Sequence, residues 1–289
     1  MSWKNSLIEI LSKEYNIPIK IHDATAVRGG SINESLTIST SAGKFFVKKN
    51  SASLYPKMFE LEAKGLQILS GKSTLKVPEV IASSQFENVA FLILENIESG
   101  KKGFDFWDHF AKGLAQLHKN NVDYFGLDHD NYIGSLHQSN KKHNNWIDFF
   151  RIERLEKQVK LARDNGRMGN AVVNSFENFY RKLPDIFPVE PPALIHGDLW
   201  GGNYMVDNQG EPVIIDPAVY YGHREMDLAM TQLFGGFDIK LYEAYHAYFP
   251  LEKGWQERMG YCNLYPLMVH VNLFGGGYLN SVQSILRKF

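Results

Sequence analysis

The sequence has little of what marks a secreted, membrane-bound or nucleic-acid-binding protein. Its 289 residues include one cysteine, Cys262, which excludes an intramolecular disulfide and any cysteine-rich metal site. The formal net charge is −1, so the chain has no overall field of one sign to attract nucleic acid or an anionic membrane. It has neither an apolar run of about 18 residues that would span a membrane nor the uninterrupted apolar core of a signal peptide. We therefore expect a cytoplasmic protein whose partners include neither nucleic acid nor membrane.

The patterns that are present divide the chain into two parts. The first part reads as a helix, a group of strands, a second helix and two further strands, over residues 1–20, 21–50, 56–70 and 76–97. A glycine-containing break at 100–103 follows, and the spacing of apolar residues after it is mainly helical. The helices predicted there are Phe106–His118, Trp146–Ala162 and Ala171–Leu183, with short strands at Ala193–His196 and Pro212–Asp216. We predict an α+β fold with two lobes, residues 1–100 and 101–289.

One segment carries the strongest chemical signal, the run HGDLWGGN (196–203) followed by IID (214–216). Phosphoryl transfer from ATP needs a carboxylate that accepts the proton of the attacking hydroxyl. It also needs a neutral oxygen donor and a second carboxylate that hold Mg²⁺ against the phosphates. The segment therefore predicts ATP as co-substrate and Mg²⁺ as cofactor, with Asp198 as the base and Asn203 and Asp216 as metal ligands. His196 fits a hydrogen-bonding brace for the loop.

A site of this kind also needs a lysine for the phosphates and a glutamate that orients it. The run FFVKK (45–49) ends a predicted strand, and Lys48 is our candidate. Lys49 points to the opposite face of the strand and competes with it. The helical stretch after Pro56 offers Glu60 and Glu62, which lie about 200° apart around a helix, so only one of them can face the lysine.

Two further segments fit a nucleotide site by their place in the chain. Gly29, Gly30 and Ser31 form a turn whose backbone N–H groups could approach the phosphates, although the full GxGxxG spacing is absent. The strand that ends at Glu95-Asn96-Ile97 could present backbone groups to adenine. Taken alone, a plain hairpin turn and a core strand explain these two patterns better.

Aromatic residues near the catalytic run suggest contacts on the acceptor side. Trp200 lies between the base and the metal asparagine, where it either anchors the core or stacks on the acceptor. His118 and His270 lie in apolar helical patterns, and we expect both to be core histidines.

The run GHREMD (222–227) has two interpretations of equal weight. In the first, His223 and Glu225 line the acceptor pocket together with Arg224. In the second, the cluster is structural, and Asp227 caps the following helix or pairs with Arg224. The run begins too soon after Asp216 for the activation segment of a protein kinase, so we do not expect that class.

At this point the sequence resembles the fructosamine (ketosamine) kinases, relatives of the aminoglycoside and choline kinases. The similarity covers nearly the whole chain. It rests on LIHGDLWGGN (194–203), IIDPAVYYGHREMDLAM (214–230), LFGGF (233–237) and LYPLMVHVNLFGGGY (264–278), with FFVKKN (45–50), MFELEAKGL (58–66), LAQLH (114–118) and FGLDHDNYIG (125–134) upstream. The tryptophan that follows HGDL separates it from the aminoglycoside and choline branches.

This resemblance implies a bilobal protein-kinase-like fold and a specific reaction. Family members transfer the γ-phosphate of ATP to the 3-hydroxyl of a ketose joined to an amine, such as a ribulosamine or fructosamine on a lysine. The phosphorylated product breaks down and frees the amine, so the implied role is deglycation of small molecules or of glycated protein lysines. By position the resemblance assigns the base to Asp198, the metal ligands to Asn203 and Asp216, the ATP lysine to Lys48 and its partner to Glu62.

Two other functions stay open on the sequence. The first is a small-molecule kinase for another hydroxyl acceptor, an aminoglycoside or choline, which Trp200 and the GHREMD run disfavour. The second is a nucleotide-binding pseudokinase that acts as a scaffold. The complete set of Lys48, Asp198, Asn203 and Asp216 disfavours it, because a binding module has no need of a catalytic base.

Overall fold

The computed structural model describes residues 3–27 and 32–289 of the chain. Gly29, Gly30 and Ser31, the predicted phosphate turn, lie outside the described residues. The described residues before position 100 form two helices and five strands. In chain order they are α1 (Trp3–Tyr15), β1 (Ile21–Val27), β2 (Glu34–Thr40), β3 (Gly43–Ser51), α2 (Met58–Lys72), β4 (Val80–Phe86) and β5 (Val89–Glu95).

The five strands form one antiparallel sheet in the order β1-β2-β3-β5-β4. The continuous apolar run of β5 follows from burial of this strand on both faces. Phe91 and Ile93 pack on the side of α1, whereas Leu92 and Leu94 pack on the side of α2. Successive side chains of a strand alternate between faces, so a strand covered on both sides needs no polar positions.

The part after residue 100 is mainly helical. Its helices are α3 (Phe106–His118), α4 (Trp146–Asp148), α5 (Lys157–Asp164), α6 (Asn170–Ile186), α7 (Glu225–Leu233), α8 (Ile239–Tyr248), α9 (Trp255–Cys262), α10 (Leu264–Phe274) and α11 (Tyr278–Leu286), with a π-helical segment, Phe149–Glu156, between α4 and α5. One large apolar core runs through them. No helix in the described ranges is long and apolar enough to cross a bilayer.

Three two-stranded ribbons are embedded among these helices. They pair β6 (Asn131–Ile133) with β7 (Leu136–Gln138), β8 (Ala193–Ile195) with β11 (Tyr220–Gly222), and β9 (Tyr204–Val206) with β10 (Pro212–Ile214). The sequence predicts only β8 and β10 of these six strands. Strands of three residues have too little alternation to stand out, because their pairing is decided by the partner strand.

The predicted α+β, two-part architecture is confirmed, with small departures. The predicted helix over Trp146–Ala162 contains the π-helical segment, which apolar spacing alone does not distinguish from an α-helix. Helix α6 continues past its predicted end at Leu183, through Pro184, to Ile186. A proline in the last turn of a helix removes one backbone hydrogen bond without breaking the turns before it.

Candidate active site

A cleft of about 640 Å³ lies between the five-stranded sheet and the helical part. Strands β2, β3 and β5 with helix α2 form one wall, and the loops after β8 and β10 form the other. Predicted site residues from both parts of the chain line this cleft: Lys48, Glu62, Glu95, Asn96, Ile97, Asp198, Trp200, Asn203 and Asp216. The fold therefore gathers into one place residues that are up to 168 positions apart, as for Lys48 and Asp216.

Lys48 is the centre of a buried ionic triad. Its Nζ donates to Glu62 Oε1 at 2.7 Å and to Asp216 Oδ1 at 2.6 Å. Burial opposes the charged form of Lys48, but the two carboxylates outweigh it and raise its pKa, so the ammonium stays charged. Asp216 keeps 41% of its side chain exposed to the cleft, whereas Lys48 and Glu62 are nearly enclosed. The triad presents one carboxylate and one cation towards the cleft.

The alternatives that the sequence left open are separated by the sheet and by helix α2. Lys49 lies on the other face of β3, where its Nζ pairs with Glu34 at 2.6 Å and lies 5.5 Å from the Trp3 ring. Glu60 is exposed on α2 and pairs with Lys64 at 2.9 Å. Neither reaches the cleft.

Asp216 adopts a backbone conformation that few side chains tolerate. Its φ is +55°, in the left-handed region. A residue other than glycine in this region costs roughly 1–3 kcal/mol, and aspartate and asparagine tolerate it best. The conformation turns the chain immediately after β10, so the Asp216 carboxylate meets Lys48 of the opposite wall.

The loop after β8 carries Asp198, which accepts hydrogen bonds from the side-chain amide of Asn203 in the same loop. Asn203 Nδ2 donates to Asp198 Oδ2 at 2.9 Å and to the Asp198 backbone carbonyl at 2.7 Å. The pKa of Asp198 is raised to about 7, mainly by burial; the hydrogen bond from Asn203 opposes the rise, and the carboxylates of Asp216 and Asp227 add to it. A carboxyl group with such a pKa is better suited to accept a proton near neutral pH than an ordinary exposed aspartate.

The same loop requires Gly197 and is braced by His196. Gly197 has φ of +82°, and a Cβ there would lie 2.2 Å from the Ala218 backbone oxygen, so no side chain fits. His196 Nε2 donates to the Ile215 carbonyl at 2.9 Å, and its Nδ1 accepts from the Asp198 N–H at 3.3 Å. Burial lowers the pKa of His196, which stays neutral and links the Asp198 loop to the strand before Asp216.

Asp227 holds this loop from behind, a role that sequence reasoning missed. Its Oδ2 accepts from the His196 N–H at 2.7 Å, and its Oδ1 accepts from the Gly197 N–H at 2.9 Å. The cluster is structural, as the second interpretation has it, but the two roles offered there for Asp227 are wrong. Arg224 pairs with Glu190 instead, at 2.7 Å, and it is Arg224 that immediately precedes helix α7. The only sequence signal for this role is that Asp227 lies in the first turn of a largely apolar helix. The same pattern is typical of an aspartate that caps a helix, so the two roles cannot be told apart from the sequence.

The predicted adenine segment lies at the end of β5, where the chain passes between the two parts. Asn96 and Ile97 line the cleft through their position at the strand end. The Glu95 side chain is engaged elsewhere, with its Oε1 3.2 Å from Lys76 Nζ.

An aromatic patch lies beside the catalytic loop. Trp200, which is 38% exposed, stacks edge-on against Phe234 with ring centroids 5.9 Å apart. Phe234 in turn lies 4.8 Å from the ring of His270, and His270 contacts Phe274 at 5.5 Å. The prediction that His270 is a core histidine is wrong, because His270 lines the cleft. His118, in contrast, is fully buried as predicted.

Comparisons with known proteins show the family to which the chain belongs. Residues 3–289 match the family model described as fructosamine kinase. The chain belongs to the fructosamine kinase family. It is 40% identical over 288 residues to a probable ketoamine kinase of Synechocystis, covering 98% of this chain and 95% of that one. It is 38% identical over 270 residues to the chloroplastic protein-ribulosamine 3-kinase of Arabidopsis thaliana, covering 91% and 81%.

Solved structures place the fold in the same family and in a wider group. A fructosamine-3-kinase homologue from Haemophilus somnus superposes with a TM-score of 0.88 at 27% identity, covering 98% of this chain and 96% of that one. An aminoglycoside phosphotransferase superposes with a TM-score of 0.63 at 14% identity, covering 98% of both chains, which shows the fold alone. The predicted protein-kinase-like fold is thus confirmed.

In this fructosamine kinase family member, His223 and Glu225 do not line the acceptor pocket. Both are fully buried. The Glu225 carboxylate forms two hydrogen bonds with the Arg258 guanidinium, at 2.6 and 2.8 Å. His223 lies between Glu190 and Glu225, at 3.7 and 4.0 Å. The prediction that these two residues line the acceptor pocket is wrong, because both side chains are enclosed and their polar neighbours lie inside the protein.

Proposed function

We propose that the protein transfers the γ-phosphate of ATP to the 3-hydroxyl of a ketosamine, such as a ribulosamine or fructosamine. The observation that supports this proposal most directly is the cleft that brings Lys48, Asp198, Asn203 and Asp216 together in a chain of the fructosamine kinase family. The names of its relatives, ketoamine kinase and protein-ribulosamine 3-kinase, indicate the class of acceptor.

The charged groups of the cleft that the sequence predicted have distinct roles in this reaction. Asp198 accepts the proton of the attacking hydroxyl, because its carboxylate faces the cleft and its raised pKa favours proton uptake. Lys48, oriented by Glu62, binds the phosphates as a fixed positive charge. Both groups are held before ATP arrives, so little reorganisation is needed when the phosphates bind.

Asn203 and Asp216 are suited to Mg²⁺. Their oxygens are amide and carboxylate donors, which this ion prefers over nitrogen or sulfur. The Asn203 amide nitrogen is already used by Asp198, so its amide oxygen is the atom that remains for a cation. When bound, Mg²⁺ neutralises phosphate charge as it develops in the transition state. The two residues flank the β9–β10 hairpin at its open end, where Tyr204 pairs with Ile214, and this pairing fixes their separation.

The nucleotide lies, in this proposal, along the wall formed by the sheet. The backbone of Glu95, Asn96 and Ile97 contacts adenine. The phosphate turn that the sequence predicts at Gly29, Gly30 and Ser31 lies outside the described residues and stays a prediction. Residues 1–100 form the nucleotide-binding lobe, and residues 101–289 form the catalytic and acceptor-binding lobe. The position of the cleft between the two parts supports this division.

Trp200 provides a platform for the acceptor. Its ring lies beside Asp198 in the loop and is partly exposed to the cleft. A flat ring of this kind stacks on the apolar face of a sugar or on the chain that carries it. Because this contact forms equally in the ground state and in the transition state, it contributes mainly to acceptor binding.

We expect Trp200→Ala to raise KM for the ketosamine about tenfold, while KM for ATP changes less than about twofold. Steady-state kinetics with each substrate varied in turn measure both constants. Ile239→Ala, at an exposed apolar residue outside the cleft lining, serves as the control and leaves both unchanged. Equal KM for the acceptor in Trp200→Ala and the native protein removes Trp200 from the acceptor site.

The biological role that we propose is deglycation in the cytoplasm. A phosphate on the 3-hydroxyl is a better leaving group than the hydroxyl itself, so the enaminol form of the product expels inorganic phosphate by breaking the C3–O bond. Water then hydrolyses the iminium that is left at C1, which frees the amine. The acceptor is either a small ketosamine or a glycated lysine of a protein, and the open edge of the cleft beside Trp200 is compatible with both.

An acceptor screen at fixed Mg·ATP tests the proposal. We expect phosphorylation of ribulosyl-lysine or fructosyl-lysine and none of an aminoglycoside or choline, measured by transfer of labelled phosphate. Asp198→Ala is the negative control in the same screen. Turnover of an aminoglycoside or choline with none of either ketosamine contradicts the proposal, and ATP binding without turnover of any acceptor indicates a scaffold instead.

A further inference from the structure

A buried chain of hydrogen bonds lies behind the catalytic loop, on the side away from the cleft. His118 Nε2 lies 3.1 Å from Asp227 Oδ2, and His118 Nδ1 lies 2.7 Å from the Tyr245 hydroxyl. All three side chains are at most 1% exposed. They come from the end of α3, from α7 and from α8, so three helices meet at this point.

The donor and the acceptor of each hydrogen bond between Asp227, His118 and Tyr245 can be assigned from the groups that Asp227 accepts. Asp227 already accepts two backbone N–H groups of the loop, from His196 and Gly197. Burial opposes its ionisation, yet the hydrogen bond from His118 and the backbone donors outweigh it and lower the pKa of Asp227. An ionised carboxylate only accepts, so His118 Nε2 carries the hydrogen. In the neutral imidazole, Nδ1 then accepts from the Tyr245 hydroxyl.

His118 is therefore the side-chain donor that satisfies the carboxylate holding the loop. A buried carboxylate that loses a donor is costly, because no water replaces the hydrogen bond. Without this donor, the Asp227 carboxyl group is expected to rotate or to take up a proton. Either change weakens its hydrogen bonds to the N–H groups of His196 and Gly197. Asp198 follows Gly197 directly, so its carboxylate would move with the loop.

We propose that His118 is a positioning residue for Asp198, acting through Asp227, and that Tyr245 fixes the His118 tautomer. This inference rests on the proposed function in one respect, the role of Asp198 as base. Lys48 and Glu62 belong to the opposite wall and do not contact this chain of bonds. Loss of the His118 donor should consequently lower kcat while ATP binding is kept.

Three variants separate the hydrogen bond from the volume of the side chain. His118→Leu removes both nitrogens and fills much of the space, and we expect kcat to fall about 100-fold with KM for ATP within about threefold, because small displacements of a catalytic group have effects of this size. His118→Gln can still donate to Asp227 from the position of Nε2, and we expect it to recover kcat to within about fivefold of the native value. Tyr245→Phe removes only the hydroxyl, and we expect a fall of about five- to tenfold.

Thr231→Val is the matched control. Thr231 lies on the same helix as Asp227, and its buried hydroxyl bonds to Leu228 and Tyr242 rather than to the loop. We expect it to lower the midpoint of thermal unfolding about as much as Tyr245→Phe and to leave kcat unchanged. Should His118→Leu fail to fold, the comparison of Tyr245→Phe with Thr231→Val decides the question alone.

The outcomes divide clearly. A kcat that falls in Tyr245→Phe and His118→Leu, is recovered in His118→Gln and is unchanged in Thr231→Val supports the inference. Native kcat in Tyr245→Phe or His118→Leu, with any loss confined to thermal stability, overturns it. Asp198→Ala in the same assay tells the two proposals apart: if Asp198→Ala is inactive and His118→Leu is fully active, only this inference fails, whereas an active Asp198→Ala removes the base itself.

Discussion

Asp198→Ala should nearly abolish turnover and leave ATP binding largely intact. A positioned general base contributes about 10²- to 10⁴-fold to a rate, so we expect kcat to fall by that factor. The ATP site should persist because the Lys48–Glu62–Asp216 triad does not depend on the Asp198 carboxylate. The measurements are kcat with a saturating ketosamine and the Kd of ATP by calorimetric titration, with Kd expected to change less than about threefold.

The control for this variant removes an acid that has no contact with the cleft. Asp185→Ala, at an exposed position on α6 that lies 3.9 Å from Lys182, should leave kcat and Kd unchanged. Asp198→Asn keeps the hydrogen-bonding shape of the side chain without its basicity and should be about as inactive as Asp198→Ala. A kcat close to native in either Asp198 variant shows that another group accepts the proton.

Asp216→Ala should weaken nucleotide binding and its dependence on magnesium together. The substitution removes a carboxylate proposed to bind the metal, and it removes one of the two partners of the Lys48 ammonium. We expect the Kd of ATP in excess Mg²⁺ to rise at least about tenfold and kcat to fall about 100-fold or more. Titration with ATP, once with Mg²⁺ and once with a chelator, measures both effects. The Kd of the native protein should be lower with Mg²⁺ than with the chelator, whereas the Kd of the variant should differ little between the two conditions.

Backbone strain has to be separated from the loss of the carboxylate. Asp216 has φ of +55°, which alanine tolerates poorly and asparagine tolerates well. Asp216→Asn therefore keeps the backbone and removes the charge, and it should share most of the binding defect. Glu87 has φ of +51° in the turn after β4, so Glu87→Ala imposes similar strain away from the cleft and should leave binding unchanged. If Mg²⁺ lowers the Kd of ATP by the same factor in both Asp216 variants as in the native protein, Asp216 is not a metal ligand.

Much of the fold could be predicted because local spacing carries it. Helix α3 has the predicted bounds, and β5 is recognised by its continuous apolar run, since burial on both faces leaves no polar position. The short strands β6, β7, β9 and β11 could not be predicted, because three residues hold too little alternation to show a period. Their existence depends on partners that lie elsewhere in the chain.

The sequence by itself determined the acidic pair and the asparagine of the proposed site. Asp198, Asn203 and Asp216 lie within nineteen residues of one another, on a loop and a hairpin that chain connectivity already holds together. Their residue types and spacing were enough to indicate phosphoryl transfer and, with the flanking runs, the family. Site residues that lie close together in the sequence can therefore be identified without knowing how the helices and strands pack.

Only the tertiary structure decided which of the remaining charged residues meet them. Strand alternation separates Lys48 from Lys49, but which face of the sheet meets the cleft depends on where α1 and α2 pack. His223 and Glu225 have the same polar character as site residues, and packing alone pairs Glu225 with a buried arginine. Asp227 anchors a loop thirty residues before it. Burial and long-range partners are properties of the folded chain, because they depend on residues brought together by elements that no local pattern connects.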